Sequence, residues 1–155
     1  MTDLFHCTHR ELQPGEIVEP GNWGKKIMEI GPKHQCWARE ISLEYIRIHY
    51  FSQKPSRLQG TFSCETIETI RAYQSRHVPG GFIYRVELVD ASLPTHKGDF
   101  NAVQPLPRVN ADMVQIALWY WEYKFKTSVE GWSGVECSEI VSSSPLKVLE
   151  VVSNS

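Results

Sequence analysis

Leu4-Phe5-His6-Cys7-Thr8-His9 is a short apolar run that carries two histidines and a threonine. Read as a strand, it sets Leu4, His6 and Thr8 on one side and Phe5, Cys7 and His9 on the other. A histidine in the middle of a buried strand needs a polar partner, because an unpaired polar group in the interior costs about 1–3 kcal/mol. That partner is either structural or a ligand, and residues far along the chain favour a ligand. Two turns follow the strand, at Pro14-Gly15 and Pro20-Gly21.

The 155 residues suit a single domain over 1–155, large enough for a real core. Apolar content of 41% with 22% charged residues argues for a folded globular chain rather than disorder. The formal charge of −2 gives no overall basic field for nucleic acid, although Lys25-Lys26 with Lys33, or Arg71 with Arg76, leave local patches open. Five tryptophans and six tyrosines suit either a bulky core or a pocket for planar groups. No window approaches the ~20 apolar residues of a membrane span, and Met-Thr-Asp lacks the basic and apolar regions of a signal peptide. Cys7, Cys36, Cys64 and Cys137 form no Cys-x-x-Cys, so they read as reduced thiols of a cytoplasmic protein, one that a signal not visible here still leaves deliverable elsewhere.

Beyond the first strand, 24–30 reads as a short helix closed by Gly31-Pro32, and 37–51 as a long one. In the long helix Trp37, Ile41, Tyr45 and Ile48 form the apolar stripe, and Glu40, Glu44 and Arg47 a solvated face. A strand is expected at Leu58–Phe62, with Ser63 as the N-cap of a helix over 64–76 that turns Ile67, Ile70 and Tyr73 inward. Phe82 to Val89 is the clearest strand. Residues 90–109 read as a long loop. A helix over 111–126, capped by Asn110, has Val114, Ala117, Leu118, Trp121 and Phe125 at helical spacing. Val135 to Val141 and Leu146 to Val152 close the chain as strands. Without regular strand-helix-strand alternation, this order favours α+β over a doubly wound sheet.

The chemistry-bearing candidates are few. Glu139, at the start of the Ile140-Val141 pair, points either to solvent or into a cleft. Glu136 is offset by three and falls on the opposite face of a regular strand. His6, His9, Cys7, His34 and Cys36 match no established zinc spacing. Cys7 and Cys137 are candidate nucleophiles only if a histidine activates them. There is no Gly-x-Gly-x-x-Gly and no Walker loop.

The opening Phe-His-Cys-Thr, the run Gln13-Pro14-Gly15-Glu16-Ile17-Val18-Glu19-Pro20-Gly21, the strand with Thr61-Phe62-Ser63 before a helix, and the late Glu139-Ile140-Val141 resemble the ADP-ribosyltransferase superfamily. The similarity is to the small rifamycin-inactivating members and a related bacterial family of unassigned function. It implies an α+β fold in which split, curved β-sheets grip NAD in the cleft between them, with helices outside. By that resemblance His6 holds the adenosine ribose and Thr8 lines the NAD cleft. Phe62 stacks on nicotinamide, with Thr61 and Ser63 flanking it as the Ser/Thr pair of the other large branch does. Glu139 is the catalytic acid, with Glu136, Asp99 and Asp112 as alternatives. Arg57 either pairs with a phosphate of NAD or is a plain surface arginine.

The chemistry of NAD fits these residue types. Cleaving the nicotinamide–ribose bond builds positive charge on the ribose, which a fixed carboxylate stabilises. A neutral histidine suits a diol because it can both donate and accept. Cys137 stands where protein-modifying members carry Gln or Glu, which weakens arginine or asparagine as the acceptor. The implied reaction moves ADP-ribose from NAD to a macromolecular or small-molecule acceptor, nucleic acid not excluded, and releases nicotinamide. With water as acceptor the chain is an NAD glycohydrolase. The rivals are a binding module that keeps the fold without catalysis, and a metal- or cysteine-based hydrolase.

Overall fold

The computed structural model describes residues 3–103, 110–123, 128–129, 132–133 and 138–152. In chain order its elements are β1 (Leu4–Thr8), β2 (Ile17–Val18), α1 (Asn22–Ile30), α2 (Trp37–Tyr50), β3 (Thr61–Ser63), α3 (Ile67–His77) and β4 (Phe82–Leu88). After these come β5 (Thr95–Asp99), α4 (Asn110–Glu122), β6 (Ser128–Val129), β7 (Trp132–Ser133), β8 (Ser138–Ser142) and β9 (Leu146–Val152). The architecture is mixed α+β, as the element order implies, and no described helix is long and apolar enough to cross a membrane.

The strand pairings are antiparallel. One sheet has the order β1-β4-β9-β2, a second the order β3-β8-β5, and β6 with β7 make a small hairpin. The two larger sheets meet where β1 runs past β3. There Phe5 and Cys64 exchange two backbone hydrogen bonds of 2.8 Å each, forming a single antiparallel bridge. The sheet therefore curls at this seam instead of running on flat, and β1 serves both halves. Gly21 enters α1 with a φ of 88°, a conformation that favours glycine at this tight turn.

Three apolar clusters hold the layers together. Leu43 and Ile46 of α2 pack with Ala117, Tyr120 and Trp121 of α4 and with Val141 of β8. Cys7, Cys64, Ile70, Val78 and Ile83 fill the space between α3 and the β1–β4 pair. Tyr84, Val86, Leu146 and Val148 fill a third cluster with Leu12.

The helices and the strands β1, β4 and β9 fall close to their expected places, and several expectations are corrected. First, α2 lies the other way round. Its buried residues are Arg39, Glu40, Leu43 and Ile46, whereas Tyr45 is 61% and Ile48 53% exposed. Arg39, Glu40, Leu43 and Ile46 also recur at helical spacing, and this face wins because its charges are neutralised by partners inside the fold. Second, a strand, β5, lies inside the expected loop. It is missed because Thr-His-Lys-Gly-Asp has no apolar alternation. Its polar residues are buried for a reason: His96 Nε2 donates to the Tyr120 carbonyl at 3.0 Å, while Lys54 Nζ bonds both His96 Nδ1, at 3.1 Å, and the Trp121 carbonyl. The last carbonyls of α4 are thereby satisfied.

Third, the N-cap of α3 is Thr66, whose hydroxyl accepts from Thr69 N at 3.2 Å, and Ser63 belongs to β3. Fourth, Val114 of α4 is exposed, and the buried wall of that helix is Ala117, Tyr120 and Trp121. Phe125 and Cys137 lie outside the described residues. The β3 strand is also shorter than Leu58–Phe62, and β8 is described from Ser138 onward.

The reversed face of α2 is testable by urea unfolding. Leu43→Ala is expected to lower stability by about 2–5 kcal/mol, as for other buried leucines. Ile48→Ala should stay within about 0.5 kcal/mol, as for an exposed helical site. The opposite ranking would restore the stripe read from the sequence.

Candidate functional site

A cavity of about 640 Å³ opens beside the seam, bordered by β1, β3, α1 and α3. Its size falls within the ~300–1,000 Å³ usual for small-molecule and cofactor sites. The sequence-predicted residues His6, Thr8, Arg57, Phe62, Ser63 and Glu139 all border it. Residues separated by more than 130 positions in the chain are thus brought to one concave surface.

His6 is half-buried on β1, opposite Tyr84. Its Nδ1 donates to the Phe62 carbonyl at 2.8 Å across the seam. Burial lowers its pKa from the ordinary value, and the bond to Phe62 only partly offsets that. The ring is therefore neutral at physiological pH. With the proton fixed on Nδ1, Nε2 is a lone-pair acceptor. Thr8, two residues on, is half-buried and accepts from Arg10 N at 3.2 Å.

Glu139 sits on β8 opposite Gly98 of β5 and is 3% exposed. Gly98 has no side chain because a Cβ there would lie 2.5 Å from the Tyr120 ring. That close approach lets Tyr120 Oη donate to Glu139 Oε1 at 2.8 Å. Arg57 Nη1 donates to the same oxygen and to Tyr120 Oη, the latter at 2.7 Å. Both donors to Glu139 converge on Oε1, which leaves Oε2 outside these bonds.

Arg57 is no surface residue. It is 4% exposed, and its guanidinium lies 4.9 Å from the ring centres of both Phe62 and Tyr120. Its Nε and Nη2 donate to Glu40 at 2.9 and 3.2 Å, a two-pronged pair. Glu40, fully buried, also accepts from Arg39 Nη2 at 2.8 Å. Burial by itself would raise the Glu40 carboxyl, but Arg57 and Arg39 outweigh it and hold the pKa at about 2. Burial pushes the Tyr120 phenol well above its usual range, so it keeps its proton and remains a donor to Glu139. Two arginines and two glutamates thus make a buried, mutually neutralised network behind the cleft.

Ser63 is buried on β3, opposite Ile140 of β8. Thr61 is turned to a structural task, donating to the Ser144 carbonyl at 2.9 Å. Asp99 is fully buried and is not among the residues bordering the cavity. Glu136 and the side chain of Asp112 lie outside the described residues.

Sequence reading missed Glu40, Tyr120, Tyr73 and Trp23. Tyr73, expected inward from α3, borders the cavity beside Glu139, and Trp23 borders it from α1. For Glu40 a signal existed: Leu43 and Ile46 follow it at three and six residues, an apolar stripe as regular as the one chosen. For Tyr120, within a run of four residues holding three aromatics, sequence offers no way to single out one ring.

Two other chemistries fit poorly. Burial raises the Cys7 thiol to about 11, so it is a protonated thiol at neutral pH rather than a nucleophile. His6, Cys7, His9, His34 and Cys36 all border the cavity, but among the described residues no three His, Cys, Asp or Glu side chains converge as metal ligands would. No protein-family model matches the chain, and no curated protein matches it.

The network carries a pH signature. Because the folded pKa of Glu40 is depressed, its contribution is present above the unfolded value of about 4.5 and is lost as pH falls toward about 2. Glu40→Gln is therefore expected to lower stability at pH 7 by about 3–5 kcal/mol, as for a broken buried ion pair. The difference from wild type should narrow between about pH 5 and pH 2 in urea titrations. A difference that stays constant over that range would contradict the assignment.

Proposed function

We propose that this chain is an NAD-dependent ADP-ribosyltransferase whose site is the cleft at the β1–β3 seam. The observation that carries the reading is the presence of a neutral His6 and a tethered Glu139 on one dinucleotide-sized cavity. The curled pair of sheets, the Ser63-bearing strand and the aromatic surface of Phe62 and Tyr73 support it.

In this reading His6 Nε2 accepts a hydrogen bond from a hydroxyl of the adenosine ribose. Glu139 bonds a hydroxyl of the nicotinamide ribose through Oε2 while Arg57 and Tyr120 hold Oε1. The bond between C1′ and the nicotinamide nitrogen breaks, and its electron pair leaves with nicotinamide. The cation that develops on the ribose faces the carboxylate, which stabilises it without moving. The acceptor's nucleophilic atom then bonds C1′ and releases its proton to solvent water. Phe62 and Tyr73 offer aromatic faces to the pyridinium ring. Arg57 is a positioning residue for Glu139, because its donors are already directed to Glu40, Tyr120 and Glu139. Arg10 and Lys26, exposed at the cleft, are the cations that suit the diphosphate.

The Arg57–Glu139 ion pair favours a second reading, a domain that binds NAD without cleaving it. A carboxylate already facing a guanidinium has less negative field to offer a developing cation.

Incubation with NAD and quantification of free nicotinamide separates the two. Turnover is expected in the wild type. Glu139→Ala should lower it by about 100-fold or more, as for loss of one group aimed at transition-state charge, while NAD binding largely survives. His6→Ala should weaken NAD binding by about 10-fold, the weight of one hydrogen bond. Binding without nicotinamide release would select the second reading, and absence of binding would contradict both.

A further inference from the structure

Two buried side-chain nitrogens lack any hydrogen-bond partner among the described residues: Trp23 Nε1 and His77 Nε2. Buried polar atoms are overwhelmingly partnered in folded proteins, so each orphan calls for an explanation. The two come from different helices, α1 and α3, yet both residues border the one large cavity. Neither nitrogen bonds a member of the Arg57 network. A single ligand reaching both walls would satisfy both.

The surroundings differ at the two places. Trp23 meets His34 edge-on at 5.4 Å, and the Lys26 ammonium lies 5.8 Å from its ring centre. An indole N–H donates and never accepts, so this wall asks for an acceptor atom on an electron-rich or anionic group. His77 packs against Tyr73 at 5.1 Å and Phe100 at 4.7 Å, and all three border the narrow recess that also contains Glu139. Burial, with Arg39 and Arg76 nearby, lowers its pKa to about 4, so the imidazole there is neutral. A neutral imidazole beside aromatic rings suits a flat, uncharged amide.

Building on the NAD reading, we infer that Trp23 and His77 recognise opposite ends of the dinucleotide. His77 Nε2 bonds the carboxamide of nicotinamide, next to the carboxylate where the glycosidic bond breaks. Trp23 Nε1 donates to the adenosine diphosphate half. The two residues set specificity and take no part in bond breaking.

The experiment titrates NAD, ADP-ribose and nicotinamide separately into wild type, Trp23→Phe, His77→Leu and His77→Gln by calorimetry, with a melting curve of each ligand-free protein. Trp23→Phe is expected to weaken ADP-ribose and NAD by about 5- to 10-fold, the weight of one neutral hydrogen bond, and to leave nicotinamide within about twofold. His77→Leu should weaken nicotinamide and NAD by a similar factor and leave ADP-ribose within about twofold. His77→Gln, which keeps an amide in that place, should recover most of the nicotinamide affinity. Because Trp23→Phe and His77→Leu each remove an unsatisfied atom, those two ligand-free variants should melt no lower than wild type. Variants that bind all three ligands like wild type, weaken all three alike, or lose the fold without ligand would overturn the inference alone. A wild type that binds neither NAD nor its two parts would sink the NAD reading along with it.

Discussion

The guanidinium of Arg57 ties three distant parts of the chain to one buried charge. It grips Glu40 of α2 with two donors and meets Tyr120 of α4 and Glu139 of β8 with a third nitrogen. The rings of Phe62 and Tyr120 both lie 4.9 Å from it. Such a cation is tolerable in the interior only because its charge and its donors are met on the spot. The same constraint sets what surrounds it. It turns α2 so that Arg39 and Glu40 face inward, and it brings Tyr120 close enough to β5 that position 98 must be glycine. It also leaves one oxygen of Glu139 outside the network.

β3 connects this network to the opposite wall of the cleft. Phe62 carries Arg57 against its ring, while its carbonyl accepts the hydrogen bond from His6 Nδ1. A three-residue strand therefore fixes both the tautomer of the histidine and the seat of the arginine that holds the glutamate. The chemistry proposed for the cleft needs those features together: an acceptor nitrogen on one side, and a carboxylate held by a donor pair on the other.

Much of the fold was legible because its signals are periodic. The alternation of Phe82–Leu88 and the helical spacing around Ile67 and Ile70 survive into β4 and α3. β5 was not legible, since His96 is buried by bonds to Tyr120 and Lys54, distant groups that leave no pattern in its own neighbourhood. The face of α2 was misread for a related reason. Tyr45 and Ile48 look like core, and Arg39 with Glu40 look like surface, until Arg57 arrives from another segment to neutralise them. At the site, resemblance to a known family brought His6, Thr8, Arg57, Phe62, Ser63 and Glu139 together, and all border one cavity. Their hydrogen-bond partners came only from geometry. The role of the Phe62 carbonyl is invisible in sequence because every residue has one, and Glu40 was hidden by the misread helix.

The central proposal is that His6, kept neutral by burial and with its proton held on Nδ1 by the Phe62 carbonyl, presents Nε2 to NAD across from Glu139. Nitrogen-15 NMR of imidazole-labelled protein, with His6 assigned from a His6→Gln sample, tests it directly. The account predicts a neutral ring at pH 7 with the proton on Nδ1 and a bare Nε2, whose resonance moves when NAD is added. A ring protonated on Nε2, or an Nε2 signal indifferent to saturating NAD, would contradict it.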